Sequence, residues 1–115
     1  MDNNIIVRDG STDLTADETI ADIHFLAQIN VFYLIVIVPE AVADTSLLVK
    51  ANFVDASNNV LQTNVSKSIA AAGVYALPLF CDDPALSDLS VVFDVTGEGA
   101  DFGAVKSYFS VARLS

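Results

Sequence analysis

The sequence has a single cysteine, a single histidine, no tryptophan and only five basic residues. One cysteine, Cys81, leaves no internal disulfide, so the fold must rest on its core. Cys81 also lacks a CxxC partner and a neighbouring base to lower its pKa. A small apolar residue at a strand end describes it better than a nucleophile. One histidine, His24, cannot build a metal site or a proton relay unless other groups converge on it. Asp22 is the only candidate beside it, two positions away on the same strand face. The five bases (Arg8, Lys50, Lys67, Lys106 and Arg113) are scattered. Nucleic-acid binding draws its affinity from Lys and Arg displacing counterions, so DNA and RNA are excluded as expected partners, and anionic membrane with them. No apolar run reaches the ~20 residues of a membrane-spanning helix. The longest, Phe25 to Val38, contains Gln28 and Asn30. No basic stretch precedes an apolar core near Met1, so no signal peptide is expected, and folding in a cytoplasm is.

What is present is apolar and acidic. At 115 residues the chain is the size of one domain. Apolar residues make up 53% and charged ones only 17%, too few to cover a monomer of ordinary composition. The excess predicts a homo-oligomer or a permanent partner. The net charge of −10 predicts a soluble, self-repelling surface or a complement to a basic partner.

The greasiest stretch, Val31 to Val38, is closed by Pro39 and holds β-branched and aromatic residues without charge or glycine. Such residues suit a pleated backbone. Both of its faces are apolar, which predicts a central strand with one face on the core and the other under a loop, a helix or another subunit. Around it the pattern has a period of two. Ile5 to Val7 reads as a short strand running into a turn at Asp9 to Asp13, with a second turn at Thr15 to Glu18. Thr15 and Glu18 match a helix capping box, but no helical period follows. Thr19 to Phe25 reads as strand, with a break near Gln28 to Asn30. Leu47, Val49, Ala51 and Phe53 face inward on a strand that turns at Asp55 to Asn59. Leu61, Thr63 and Val65 are expected to face inward on its hairpin partner. Ser68 to Gly73 reads as a loop or a single turn. Val74 to Phe80 is a strand in which Pro78 predicts an edge or a bulge. Cys81 to Pro84 is a turn, Leu89 to Val95 and Val105 to Val111 are strands, and Gly97 to Gly103 is a hairpin loop between them.

About eight strands with frequent turns predict an all-β, antiparallel β-sandwich, a jelly roll or a related Greek key. Residues 1–18 read as a polar N-terminal segment with a short strand, and 19–115 as a single β-sandwich domain. Ile35, Phe53, Val65, Leu77, Val91, Phe93 and Phe109 are the expected core.

No enzyme is expected, because no catalytic constellation is visible. Ser11 has Asp9 and Asp13 beside it but no histidine nearby in sequence. The oxygen-rich runs Asp9 to Asp13 and Asp55 to Asn59 have the density calcium favours but lack the EF-hand glycine and glutamate. Turns use the same residues for backbone bonds. Gly97-Glu98-Gly99 is only a GxG with no helix behind it.

Three phrases carry a resemblance. They are Val7-Arg8-Asp9-Gly10-Ser11-Thr12-Asp13-Leu14-Thr15-Ala16, Ala71-Ala72-Gly73-Val74-Tyr75-Ala76-Leu77-Pro78 and Phe102-Gly103-Ala104-Val105. Together with the apolar strand ending at Pro39 and the strand-turn-strand from Val49 to Val65, they are similar to the capsid cement or decoration proteins of tailed bacteriophages. The resemblance implies a non-enzymatic virion protein, commonly trimeric, assembled in the host cytoplasm and bound to the major capsid protein on the outside of the head. It implies no cofactor, no metal and no catalytic residue. The capsid-facing part expected on this reading is the acidic N-terminal stretch, through Asp9, Asp13, Asp17 and Glu18. The alternative is a β-sandwich carbohydrate- or ligand-binding module of a phage host-recognition structure. The absence of tryptophan, and the placing of Tyr33 and Tyr75 in apolar strands, count against it.

Overall fold

The computed structural model describes the backbone of residues 5–24, 29–80 and 88–113, and the side chains of 5–23, 33–79 and 88–110. These residues form eight strands: β1 (Ile5–Asp9), β2 (Glu18–His24), β3 (Ile29–Val38), β4 (Ser46–Val54), β5 (Val60–Ile69), β6 (Gly73–Phe80), β7 (Asp88–Thr96) and β8 (Lys106–Arg113). They make two four-stranded antiparallel sheets, ordered β1-β8-β3-β6 and β2-β7-β4-β5. The pairs β1/β8, β2/β7, β3/β6 and β4/β5 are all bonded. The chain is therefore one long hairpin, with its tip at the Asp55 turn, rolled up so that β8 also meets β3 and β7 also meets β4. That is jelly-roll strand order, and the all-β sandwich expected from the sequence is what the chain forms.

The core lies between the sheets. Leu47, Val49, Ala51 and Phe53 from β4 and Leu89, Val91 and Phe93 from β7 are fully buried on one side. Leu34 and Val36 of β3, Leu79 of β6 and Phe109 of β8 are fully buried on the other. Ile35 is not part of this core. The buried set on β3 is Leu34, Val36 and Val38, so Ile35 lies on the outer face, half-buried beside Tyr33 and Ile37. A strand that is apolar on both faces gives the pattern no phase, which is why the sequence misplaces it. Val65 is only partly buried against the core, whereas Leu77 joins it as expected.

Bulges decide several faces. Ile6 pairs with Tyr108 and Arg8 with Ser107, so Val7 and Arg8 together oppose one residue and both are buried. An irregularity between Ile20 and Ile23, where Asp22 takes φ 59°, puts both isoleucines against the core. The break expected near Gln28 to Asn30 is, at its described end, a further irregularity: β3 already runs at Ile29, and its register with β8 shifts before Val31. On β5, shifts at Ala51/Asn52 and Phe53/Val54 reverse the expected facing. Thr63 pairs with outward Asn52 and donates to its Oδ1 at 2.8 Å, and Leu61 is exposed. The loop expected at Ser68 to Gly73 is shorter than that: Ser68 and Ile69 end β5 and Gly73 begins β6. Pro78 lies on β6, an edge strand as expected, where a residue without an N–H is tolerated.

The glycine-rich stretch after β7 is not a hairpin loop. β7 and β8 belong to different sheets, so residues 97–105 cross from one to the other, burying Phe102 and Val105. Gly97 has φ 113°, and a Cβ there would come within 2.8 Å of the Asp44 carbonyl oxygen. Gly103, at φ 73°, leaves no more than 2.9 Å between such a Cβ and Pro39. The crossing thus lies directly on the β3–β4 connection, and only glycine permits the approach. The turn expected at Cys81 to Pro84, with Cys81 itself, and the residues Phe25, Ala27 and Gln28 lie outside the described residues.

Candidate functional site

The acidic N-terminal stretch singled out by the sequence is fastened to the sandwich from both ends. In the loop between β1 and β2, Leu14 is fully buried. Its backbone N–H donates to the Gly103 carbonyl at 2.8 Å, and its own carbonyl accepts from Phe102 N at 3.0 Å. Arg8, 6% exposed, is the centre of this corner. Its Nη1 donates to the carbonyls of Thr12 and Val105 at 2.7 and 2.8 Å. Its Nη2 donates to Thr12 Oγ1 and Glu18 Oε2, and its Nε to Glu18 Oε1. All five N–H donors of the guanidinium thereby have an acceptor. The sequence beside Arg8 gives no signal of this burial, because Val105 and Glu18 are brought to it by the fold.

The four acids therefore do not form one free surface. Glu18 grips Arg8 at 3.0 Å. Asp17 accepts the Val95 N–H at 2.6 Å and so holds the end of β7. Asp9 accepts from the backbone N–H and the hydroxyl of Ser11 at 3.0 and 2.7 Å. Asp9 and Asp13 are exposed. Three of the four carboxylates thus shape the corner, and an acidic side chain in a turn is doing the work of an Asx bond. Among the described residues, no group of three His, Cys, Asp or Glu side chains is placed to hold a metal ion. No described helix is long and apolar enough to cross a membrane. His24 ends β2, and its side chain lies outside the described residues.

No family model, curated protein or solved structure matches this chain.

The second oxygen-rich run behaves like the first. Asp55 accepts from Asn59 N and Asn59 Nδ2 and from Ser57 N, at 2.9 to 3.1 Å. Asn58, at φ 63°, supplies the left-handed residue of the turn. The Asn59 backbone bond chiefly lowers the Asp55 pKa below the usual carboxylate value, and the Ser11 hydroxyl chiefly lowers that of Asp9. A depressed folded pKa means stability that is complete above the unfolded value, near 4, and is lost as pH falls through the folded value. The melting temperature is therefore expected to fall as the pH drops below about 4. Asp55→Ala should melt lower at neutral pH and show a shallower acid limb. Parallel acid limbs in the two proteins would remove Asp55 from the account.

Proposed function

We propose that the chain is a capsid cement or decoration protein of a tailed bacteriophage, a non-enzymatic virion component that binds the outside of the head and stabilises it. The observation that carries this reading joins two of the phrases on which the resemblance rests. The Val7 to Ala16 phrase and the Phe102 to Val105 phrase are some ninety residues apart in sequence, yet Leu14 bonds to Phe102 and Gly103, and Arg8 bonds to Val105. These two phrases meet in one corner of the fold and hold it together. The jelly-roll strand order, which is common among viral capsid proteins, and the acid excess support the same reading. The protein acts as a homo-oligomer, a trimer, and several weak contacts to the major capsid protein form together at high effective concentration.

The exposed acids Asp9 and Asp13 are the groups available to basic capsid residues, so attachment weakens as salt rises. Removing residues 1–18 is not a clean test, because Arg8 and Leu14 are buried. Asp13→Lys is. Purified protein mixed with undecorated heads is expected to co-sediment at low salt and to raise their rupture temperature, with Asp13→Lys bound more weakly. Heads that sediment without the protein and rupture at an unchanged temperature would refute the reading.

One observation favours the carbohydrate-binding alternative. Tyr33 is 46% exposed on the outer face of β3, not buried as its apolar neighbours suggested. Glycan binding abolished by Tyr33→Ala would support a recognition module.

A further inference from the structure

The two outer faces of the sandwich differ in polarity. On the β2-β7-β4-β5 sheet the outward positions are mixed: Lys50 approaches Asp94 at 3.9 Å, Thr63 bonds the buried Asn52, and Ser66 and Ser68 lie opposite Lys50 and Leu48, with Val54 and Val92 among them. On the β1-β8-β3-β6 sheet the register sets Ile6, Tyr108, Ile35 and Ala76 in one row across all four strands. The next row is Asp9, Lys106, Ile37 and Val74, and on the other side Ser110, Tyr33 and Pro78 follow. The same pairing carries the sheet on through Ala112, Val31 and Phe80. Val74 is 69% exposed and Ile6 54%. Such a continuous apolar face on a small domain marks an interaction surface.

We propose that this outer face of the β1-β8-β3-β6 sheet is where other copies of the same chain dock. Charge selects the occupant. The chain carries a net −10, yet this face has one acid and one base, Asp9 and Lys106, side by side in register. The patch is neutral, so two like-charged copies meet here with little repulsion, whereas a basic partner finds one acid, Asp9, on the edge strand and already beside Lys106. Area agrees. The three rows whose side chains are described, eleven positions at the usual strand spacing and rise, cover roughly 350 Å² in flat projection, the size of an apolar patch that marks a contact surface. The relief is also self-complementary: β6 contributes Val74, Ala76 and Pro78, while β3 and β8 contribute the two tyrosines and Ile35. The inference does not rest on the capsid reading, since it concerns the isolated chain.

The test is the mass of the full chain by sedimentation equilibrium, over concentrations up to about 100 μM, where a contact as weak as micromolar is saturated. The wild type is expected to sediment as a multiple of its 12.2 kDa. Tyr33→Glu with Val74→Glu places two charges in the face, and is expected to weaken association by about tenfold or more while the β circular-dichroism signal stays. Tyr33→Ser with Val74→Ser is the milder pair, and is expected to shift the equilibrium in the same direction. Val60→Glu with Leu61→Glu alters side chains of matching exposure, 57% and 56%, on β5 of the opposite sheet, and is expected to keep the wild-type mass. A monomeric wild type overturns the proposal, and so does an oligomer that survives both face pairs or is broken by the β5 pair instead. If the wild type is monomeric but face variants lose glycan or capsid binding, the occupant is that ligand and not a second copy. Retained self-association with no attachment to heads would refute the capsid reading and leave this inference standing.

Discussion

Phe93→Ala is expected to lower the free energy of unfolding by about 3–5 kcal/mol. Phe93 is fully buried on β7, an inner strand that pairs with β2 on one side and β4 on the other. It stands opposite Val49 of β4 and Glu18 of β2. Both neighbouring strands are held by their own ladders, so the wall around the ring cannot collapse into the space a truncation leaves. The cost is then the lost transfer energy of the ring plus the cavity it leaves. Against a typical total of about 5–15 kcal/mol, that is a large share of the domain's stability. Phe93→Leu keeps most of the volume and is expected to cost about 1–2 kcal/mol. Urea denaturation at one fixed protein concentration measures both, because association adds its own stability. A loss below about 1 kcal/mol for Phe93→Ala would mean that the site relaxes, and that this ring does not hold the sheets apart.

The residues whose positions were legible are those on strands where apolar and polar positions alternate. Leu47, Val49, Ala51 and Phe53 face inward as their spacing says, and so do Leu89, Val91 and Phe93. The Asp55 turn follows from its own side chains, because Asp55 and Asn59 bond each other locally. Pro78 marks an edge because a missing N–H is a local fact. Ile35 was not legible, since its strand offers two apolar faces. Leu61 and Thr63 were not legible either: a bulge is one added residue, and it reverses the facing of everything beyond it. Phe102 and Leu14 are buried inside stretches that read as a glycine-rich loop and a polar turn. Both belong to the hydrophobic core, and backbone bonds between them, across most of the chain length, hold the two stretches there.

The acidic stretch shows the same limit. The sequence displays Asp17 and Glu18 as surface charge. It does not display that Asp17 serves Val95 or that Glu18 serves Arg8. Burial of a cation depends on where the chain returns, and that is fixed by the jelly-roll order. The local sequence near Arg8 does not contain it.

Arg8→Ala is expected to cost about 3 kcal/mol, the lower end of what breaking a buried ion pair costs. The side chains of the pair are unequally covered, with Arg8 at 5% and Glu18 at 35% of full exposure. When Arg8 is removed, Glu18 can hydrate, which moderates the loss. The Val105 carbonyl, in a buried residue, loses its donor, and that is part of the cost that remains. Glu18→Ala is expected to cost at least as much, because it strands a buried guanidinium without a counter-charge. Arg8→Lys recovers only part, since an ammonium is a single point and cannot span the acceptors on Thr12, Val105 and Glu18 together. The double substitution Arg8→Met with Glu18→Leu removes both charges and is expected to cost less than the two alanine variants combined, by about 1 kcal/mol or more. Denaturation of the set decides it. If the double variant loses as much as the sum of the alanine variants, Arg8 and Glu18 are independent. The corner between β1 and β2 is then held by the Leu14 backbone bonds and not by the ion pair.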